Sequence, residues 1–164
     1  MIRAGVLSDT HLSQPDKTFS KQVRDCFHDC DVIIHAGDLT APSILEVFRD
    51  KTIYAVCGNM CDGMVRAQYP ELLVFTLGNF TIGLTHGARL GQDIETSLWN
   101  LFPEADCLIY GHTHRPACHR HGKTLFLNPG SFQATSRYGA PGTFAILEAG
   151  DELSARIFDL PHTP

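Results

Sequence analysis

Two mixed β-sheets packed face to face, with helices outside, is the α/β fold class this sequence predicts. Three observations carry it. Short apolar runs alternate with helical stripes as far as Cys57, the β-α-β-α-β pattern of a parallel sheet. From Leu72 onward the strand-like runs come as hairpins, which calls for a second sheet. The apolar runs also end in polar residues beside glycine, where parallel strands gather a ligand beyond their carboxyl ends.

Ala4 to Leu7 reads as a buried strand, because it is brief, flanked by polar residues and too short for a helix. It leads into Asp9-Thr10-His11. In extended backbone, residues two apart point the same way, so Asp9 and His11 can aim at one point. A carboxylate oxygen beside an imidazole nitrogen suits Zn, Mn, Fe or Ni better than Ca. Leu12 to Thr18 is a polar loop, and Phe19, Val23 and Phe27 then predict an amphipathic helix to about Cys30, with His28 on its surface. Val32 to Ala36 is the second strand, closed by Gly37-Asp38. Pro42 opens a short helix, where its missing N–H costs nothing, and Ile44, Leu45 and Phe48 face inward. Ile53 to Cys57 is the third strand and ends in Gly58-Asn59.

Leu72–Leu77 and Phe80–Leu84 form a hairpin about Gly78-Asn79, and the second run ends in Thr85-His86-Gly87. Ile94, Leu98, Leu101 and Phe102 predict a helix stopped by Pro103. Cys107 to Tyr110 is a strand that closes in Gly111-His112-Thr113-His114. Further strands follow around Ala117–His121, Thr124–Leu127, Thr143–Leu147 and Ser154–Phe158.

No repeat or linker divides the 164 residues, so a single domain over 1–164 is expected. With 43% apolar and 19% charged residues, the chain has an ordinary globular composition. A net charge of −5 disfavours a protein built to hold nucleic acid backbone. The first strand begins at residue 2 with no secretory leader before it, and no apolar run is long enough to span a membrane. A cytoplasmic protein is expected. None of the six cysteines is spaced Cys-x-x-Cys, so reduced, mostly buried thiols are expected. The sequon Asn79-Phe80-Thr81 then goes unused, as part of a turn.

Seven candidate ligands stand at strand ends in five places: Asp9, His11, Asp38, Asn59, His86, His112 and His114. A lone histidine is more often structural than a ligand, but seven converging candidates are not explained that way. Glycines 37, 58, 87 and 111 let the backbone turn sharply and approach a bound ion. Other motifs carry less. Gly122-Lys123-Thr124 has Ala117 where a P-loop begins with glycine, and Gly130-Ser131 lacks the flanking pattern of a hydrolase elbow. The basic residues Arg115, His119, Arg120, His121 and Lys123 read as a solvated hairpin in preference to a phosphate-holding rim.

Asp9-x-His11, Gly37-Asp38, Gly58-Asn59, His86-Gly87 and Gly111-His112-x-His114 resemble the five blocks of the calcineurin-like metallophosphoesterases. Asn128-Pro129-Gly130-Ser131 is similar to the small YfcE-like phosphodiesterases of that superfamily, and the resemblance covers residues 6 to 131. It implies a four-layer α/β/β/α sandwich. It also implies hydrolysis of a small phosphoester, foremost a phosphodiester, by a hydroxide bridging two divalent metal ions (Mn, Ni, Zn or Fe). One ion would be held by Asp9, His11, Asp38 and His114, the other by Asp38, Asn59, His86 and His112, with Asp38 shared. The resemblance gives Asp38, Asn59 and His112 the catalytic roles, and Asn59 and Ser131 the substrate contacts. Two divalent ions, less two aspartates and one hydroxide, leave a charge of about +1 that attracts an anionic ester.

The chain departs from the family at three points. Met60 follows Asn59 where many relatives carry a histidine that protonates the leaving group. Cys61-Asp62 is displaced by one residue from the subgroup's Gly-Asn-Cys-Asp. Ala88 follows Gly87 where a further histidine is common. Three alternatives compete with a phosphodiesterase: a phosphomonoesterase, a nuclease, and a non-catalytic scaffold such as the retromer subunit that resembles this family. Retention of all seven ligands opposes the scaffold, and the acidic net charge opposes the nuclease. A homo-oligomer is compatible with the sequence.

Overall fold

The computed structural model describes residues 1–133 and 141–161. The chain runs β1 (Ile2–Leu7), α1 (Lys17–Phe27), β2 (Val32–His35), a 3₁₀ helix (Pro42–Phe48), β3 (Thr52–Ala55) and α2 (Gly63–Gln68). It continues through β4 (Leu72–Leu77), β5 (Phe80–Thr85), α3 (Ile94–Leu101), β6 (Cys107–Ile109), β7 (Ala117–His121), β8 (Thr124–Asn128), β9 (Thr143–Ala149) and β10 (Leu153–Asp159).

The strands form two five-stranded sheets, ordered β10-β9-β1-β2-β3 and β4-β5-β6-β8-β7. Both are mixed. β1, β2 and β3 are parallel, while β9 lies antiparallel on the other side of β1, with Val6 opposite Ala145. In the second sheet β5, β6 and β8 are parallel, and β4 and β7 run antiparallel at the two edges.

Successive side chains on a strand point to opposite faces, and this alternation divides the core in three. Val6, Ile34 and Leu147 of the first sheet meet Leu84, Ile109 and Leu127 of the second. Their neighbours Leu7 and Ile33 pack on the outer face against Phe19, Phe27 and Phe48. On the far side, Leu108 and Phe126 pack against Leu98 and Phe102. Three apolar interfaces separate four layers, the α/β/β/α sandwich expected above.

Two features differ from the expectation in detail or go beyond it, and a third agrees with it. The helix opened by Pro42 is 3₁₀. Helix α2 lies in a stretch where the periodicity predicts none, and Asp62 caps it by accepting from the Val65 N–H at 2.8 Å. The basic residues 115–123 sit on and around the β7–β8 hairpin, where the reading as a hairpin holds: Arg120 donates to the Lys123 and Leu153 carbonyls and His119 pairs with Glu95. All six cysteines are free. Among the described residues no helix is long and apolar enough to cross a membrane.

Candidate metal centre

The segments following β1, β2, β3, β5 and β6 converge at one end of the two sheets, laced by backbone hydrogen bonds. Asp9 N–H donates to Gly37 O at 2.9 Å, His11 N–H to Asp38 O at 3.0 Å, and Gly111 N–H to His86 O at 3.1 Å. The lacing holds residues in left-handed backbone that L-residues ordinarily avoid. Asp9 (φ 54°), His11 (48°), Asp38 (56°), His112 (67°) and His114 (57°) all adopt it, with Thr40 beside them. Such a conformation costs on the order of 1–3 kcal/mol per residue and persists only where its surroundings impose it. Five of the seven predicted ligands carry this cost.

Two glycines make room for the ligand side chains themselves. A Cβ at Gly37 would fall 2.6 Å from His86 Nδ1, and one at Gly58 would overlap Asp38 Oδ1.

The ligand atoms form two clusters. In the outer one, His114 Nε2 is 3.1 Å and His11 Nε2 is 3.7 Å from Asp9 Oδ1, and the two nitrogens are 3.3 Å apart. In the inner one, His86 Nε2 is 3.2 Å from Asp38 Oδ2, 3.0 Å from Asn59 Oδ1 and 3.9 Å from Asp9 Oδ1. His11 Nε2 to Asp38 Oδ2, at 4.0 Å, links them. Donor atoms about 2.1 Å from a tetrahedral ion stand about 3.4 Å from one another. The observed edges bracket that spacing, so Asp9–His11–His114 and Asp9–Asp38–His86 could each hold an ion.

Each aspartate spends one oxygen on the protein and turns the other to the clusters. Asp38 Oδ1 accepts from Met60 N–H at 2.8 Å, leaving Oδ2 to face both His86 and His11. Asp9 Oδ2 accepts from Ser8 Oγ and from His112 N–H, leaving Oδ1 to face His11, His114 and His86. The family resemblance implies Asp38 as the shared ligand; in the geometry Asp9 belongs to both clusters, and Asp38 reaches the outer one through His11 at 4.0 Å.

His112 and Ser131 are placed differently. The His112 ring stands edge-on to His86, with centroids 5.3 Å apart, outside both three-residue clusters. Ser131 is buried, its hydroxyl within hydrogen-bonding distance of the Asp9 and Gln133 carbonyls at 3.1 and 3.0 Å. It supports the β1 loop from behind.

Electrostatics match the geometry. Burial opposes ionisation of Asp9, but hydrogen bonds from His11, His114 and Ser8 and the charge of His86 hold its carboxyl well below the usual range. Burial likewise opposes ionisation of Asp38, and His86 with the Met60 N–H outweighs it. The His86 imidazole is raised despite burial, chiefly by Asp38. Its Nδ1 is 2.8 Å from Ala36 O, an N–H donor contact that turns Nε2 toward the carboxylates and leaves it as the ligating nitrogen. The Nε2 proton then stands where a cation would sit. His114 is raised by its bond to Asp9, and His112 is lowered by burial and by the charge of His86.

Supporting residues also emerge, and one of them, His35, lies outside every motif of the sequence. His35 is fully buried behind the aspartates, and burial pushes it down to about 3. It is therefore neutral: Nδ1 accepts from Gly37 N–H at 3.2 Å, and Nε2 faces Thr10 Oγ1 at 3.3 Å. Its signal was a polar residue inside the apolar run 32–36. Asn128 donates to Gly111 O and Thr113 Oγ1 and accepts from Gly130 N–H, pinning the turn that carries His112 and His114. After Asn59, the Met60 side chain is exposed, Cys61 Sγ accepts from Gly58 N–H, and Asp62 is occupied as the cap of α2. Beside Asn59 and His86 opens a cleft of about 200 Å³, with Arg66, Leu72, Leu90 and Leu101 in its walls.

Residues 2–152 match the calcineurin-like phosphoesterase superfamily domain. A probable metallophosphoesterase of Methanothermobacter thermautotrophicus is 36% identical over 156 residues, spanning 93% of this chain and 90% of its own. A predicted phosphoesterase of Streptococcus pneumoniae superposes with TM-score 0.68 at 30% identity, covering 96% of this chain and 97% of that one. An archaeal phosphodiesterase shares the fold at TM-score 0.75 and 20% identity, covering 97% and 100%. With the ligand residues drawn together at the carboxyl ends of its strands, the chain belongs to the calcineurin-like phosphoesterase superfamily.

Proposed function

We propose that the protein hydrolyses a small phosphodiester using two divalent transition-metal ions, Mn, Ni, Zn or Fe. The observation that carries this is the pair of adjoining clusters built on two buried carboxylates, whose inward oxygens lie within 4.0 Å of the surrounding imidazole nitrogens. In this reading Asp9, His11, Asp38 and His114 hold one ion, and Asp38, Asn59, His86 and His112 the other. Paired divalent ions lower the pKa of bound water to give a nucleophile near neutral pH and clamp the attacking and leaving oxygens.

The chain's own residues do the rest. Asp38 and Asp9 stay ionised and are fixed by Met60 N–H and by Ser8 and His112 N–H, so they need not reorganise. His86 is held in its ligating orientation by Ala36 O. Asn59 and His112, the latter biased toward its neutral form, carry the remaining catalytic roles in this reading. A residual charge of about +1 suits a monoanionic diester. The shared fold with an archaeal phosphodiesterase supports the same class, and the reduced thiols suit a cytoplasmic enzyme.

The test is elemental analysis of protein reconstituted with Mn or Ni, followed by rates on bis-p-nitrophenyl phosphate and p-nitrophenyl phosphate. Two ions per chain and faster diester cleavage are expected. At most one specific ion, or far faster monoester cleavage, refutes the proposal.

A further inference from the structure

The loop after β3 ends against a cation that the motif pattern does not include. Helix α2 starts immediately beyond it, capped by Asp62, and its fourth residue, Arg66, turns back over the loop. Arg66 Nη2 donates to Asn59 O at 2.8 Å and Nε to Cys61 O at 3.1 Å, straddling Met60. The guanidinium of this exposed residue is thus tied to two carbonyls. Among the described residues no carboxylate pairs with it, and Nη1 has no hydrogen-bond partner. Arg66 shares the cleft wall with Asn59 and His86. Met60, between the two carbonyls, offers nothing to an anion: its N–H is spent on Asp38 Oδ1 and its thioether is exposed.

We propose that Arg66 is a substrate-binding residue that donates from Nη1 to a non-bridging oxygen of the bound phosphoester. This rests on the proposed phosphoesterase reading for the class of ligand. Three features favour the role. A guanidinium presents a planar fork of N–H donors that matches the oxygens of a phosphate. Its bonds to the two carbonyls fix its position before substrate arrives, which lowers the cost of ordering it. A charge-assisted N–H···O bond to phosphate is stronger than a neutral one. Arginine binds and neutralises but does not give up a proton, so Arg66 strengthens ester binding without serving as the leaving group's acid.

The experiment compares wild type, Arg66→Lys and Arg66→Gln, each loaded with Mn. Metal content is measured on each, and the affinity for inorganic phosphate is measured by calorimetry, a readout independent of turnover. Arg66→Gln should keep the wild-type metal content and bind phosphate about tenfold or more weakly, the size expected for a hydrogen bond to a charged group. Arg66→Lys should recover part of the loss, because it restores the charge without the planar fork. KM for a diester should rise in step with the phosphate Kd. Unchanged phosphate affinity in Arg66→Gln overturns the proposal. So does weakened affinity that merely follows lost metal, since Arg66 would then only hold the loop. Wild type that binds metal and phosphate but cleaves no ester would defeat the hydrolytic reading and leave Arg66's role standing.

Discussion

The two clusters of ligands are built to different standards. In the inner one, Asp38 and His86 side chains are each only 3% exposed, and the His86 ring is anchored on Ala36 O. In the outer one, the His11 and His114 side chains are 25% and 41% exposed and lean on each other and on Asp9. Among the described residues neither outer ring has a hydrogen bond on Nδ1. Partners that orient a ligating histidine are worth about 10- to 100-fold in metal affinity. The inner cluster is therefore shaped before any ion arrives, whereas the outer one is shaped partly by its occupant.

The largest effect should come from removing what the clusters share. Asp38→Ala and Asp9→Ala should each cost both ions and bring diester hydrolysis to background, by elemental analysis and rate assay. If Asp9→Ala spares the inner ion, sharing is confined to Asp38. Next comes the inequality itself. A chelator should strip the protein in two phases, the outer ion first, and His114→Ala should remove the fast phase while His86→Ala removes the slow one. Equal release rates would erase the distinction.

A smaller effect concerns the support behind the inner cluster. His35→Phe fills the space but leaves the Gly37 N–H without its acceptor, which should cost about 1–3 kcal/mol in urea unfolding.

The smallest effect is the pH dependence of the metal-free protein. Asp9 and Asp38, lowered in the fold, contribute stability above about 3.8 that is lost as pH falls through their folded values. His86 and His114, raised in the fold, contribute stability that is full below about 6.5 and lost as pH rises through their folded values. His35 and His112, lowered in the fold, act in the opposite sense and cost stability as pH falls below about 6.5, so the contribution of His86 and His114 is read from the melting of variants, as stability lost near pH 5–6 and not at pH 8. His86→Asn should show this loss more than His114→Asn, because the exposed ring's share is screened by solvent.

Much of this could be read from the chain, and the remainder could not for identifiable reasons. Strands such as Val32–His35 and the Gly78-Asn79 hairpin declare themselves by run length and turn residues. So do the residues at the ligand positions, since each ends a strand. Helix α2 is hidden because it has six residues and buries only Val65; the capping carboxylate of Asp62 was the available signal. The left-handed backbone at Asp9, His11 and Asp38 is imposed by hydrogen bonds from distant segments, so no local preference announces it. Asn128 and His35 act through contacts between loops of neighbouring strands, Asn128 with the turn after β6 and His35 with the loop after β1, which exist only once those strands are paired. The unequal standing of the two clusters has the same origin, since what separates them is a backbone carbonyl and not a residue type.

The pairing of β1 with β9 has a consequence for how the chain reaches this state. β1 finds β2 early, with Ala4 beside Val32, but its other partner begins at Thr143. Closing so long a loop is slow, and folding rates fall as contacts lengthen in sequence. Until β9 arrives, β1 is an edge strand whose open backbone can pair with another chain. During synthesis that edge stays uncovered while nearly all the rest of the domain is made, which is when a chaperone has most to offer and aggregation is the greatest hazard. Any chain cut before residue 143 keeps that edge open permanently.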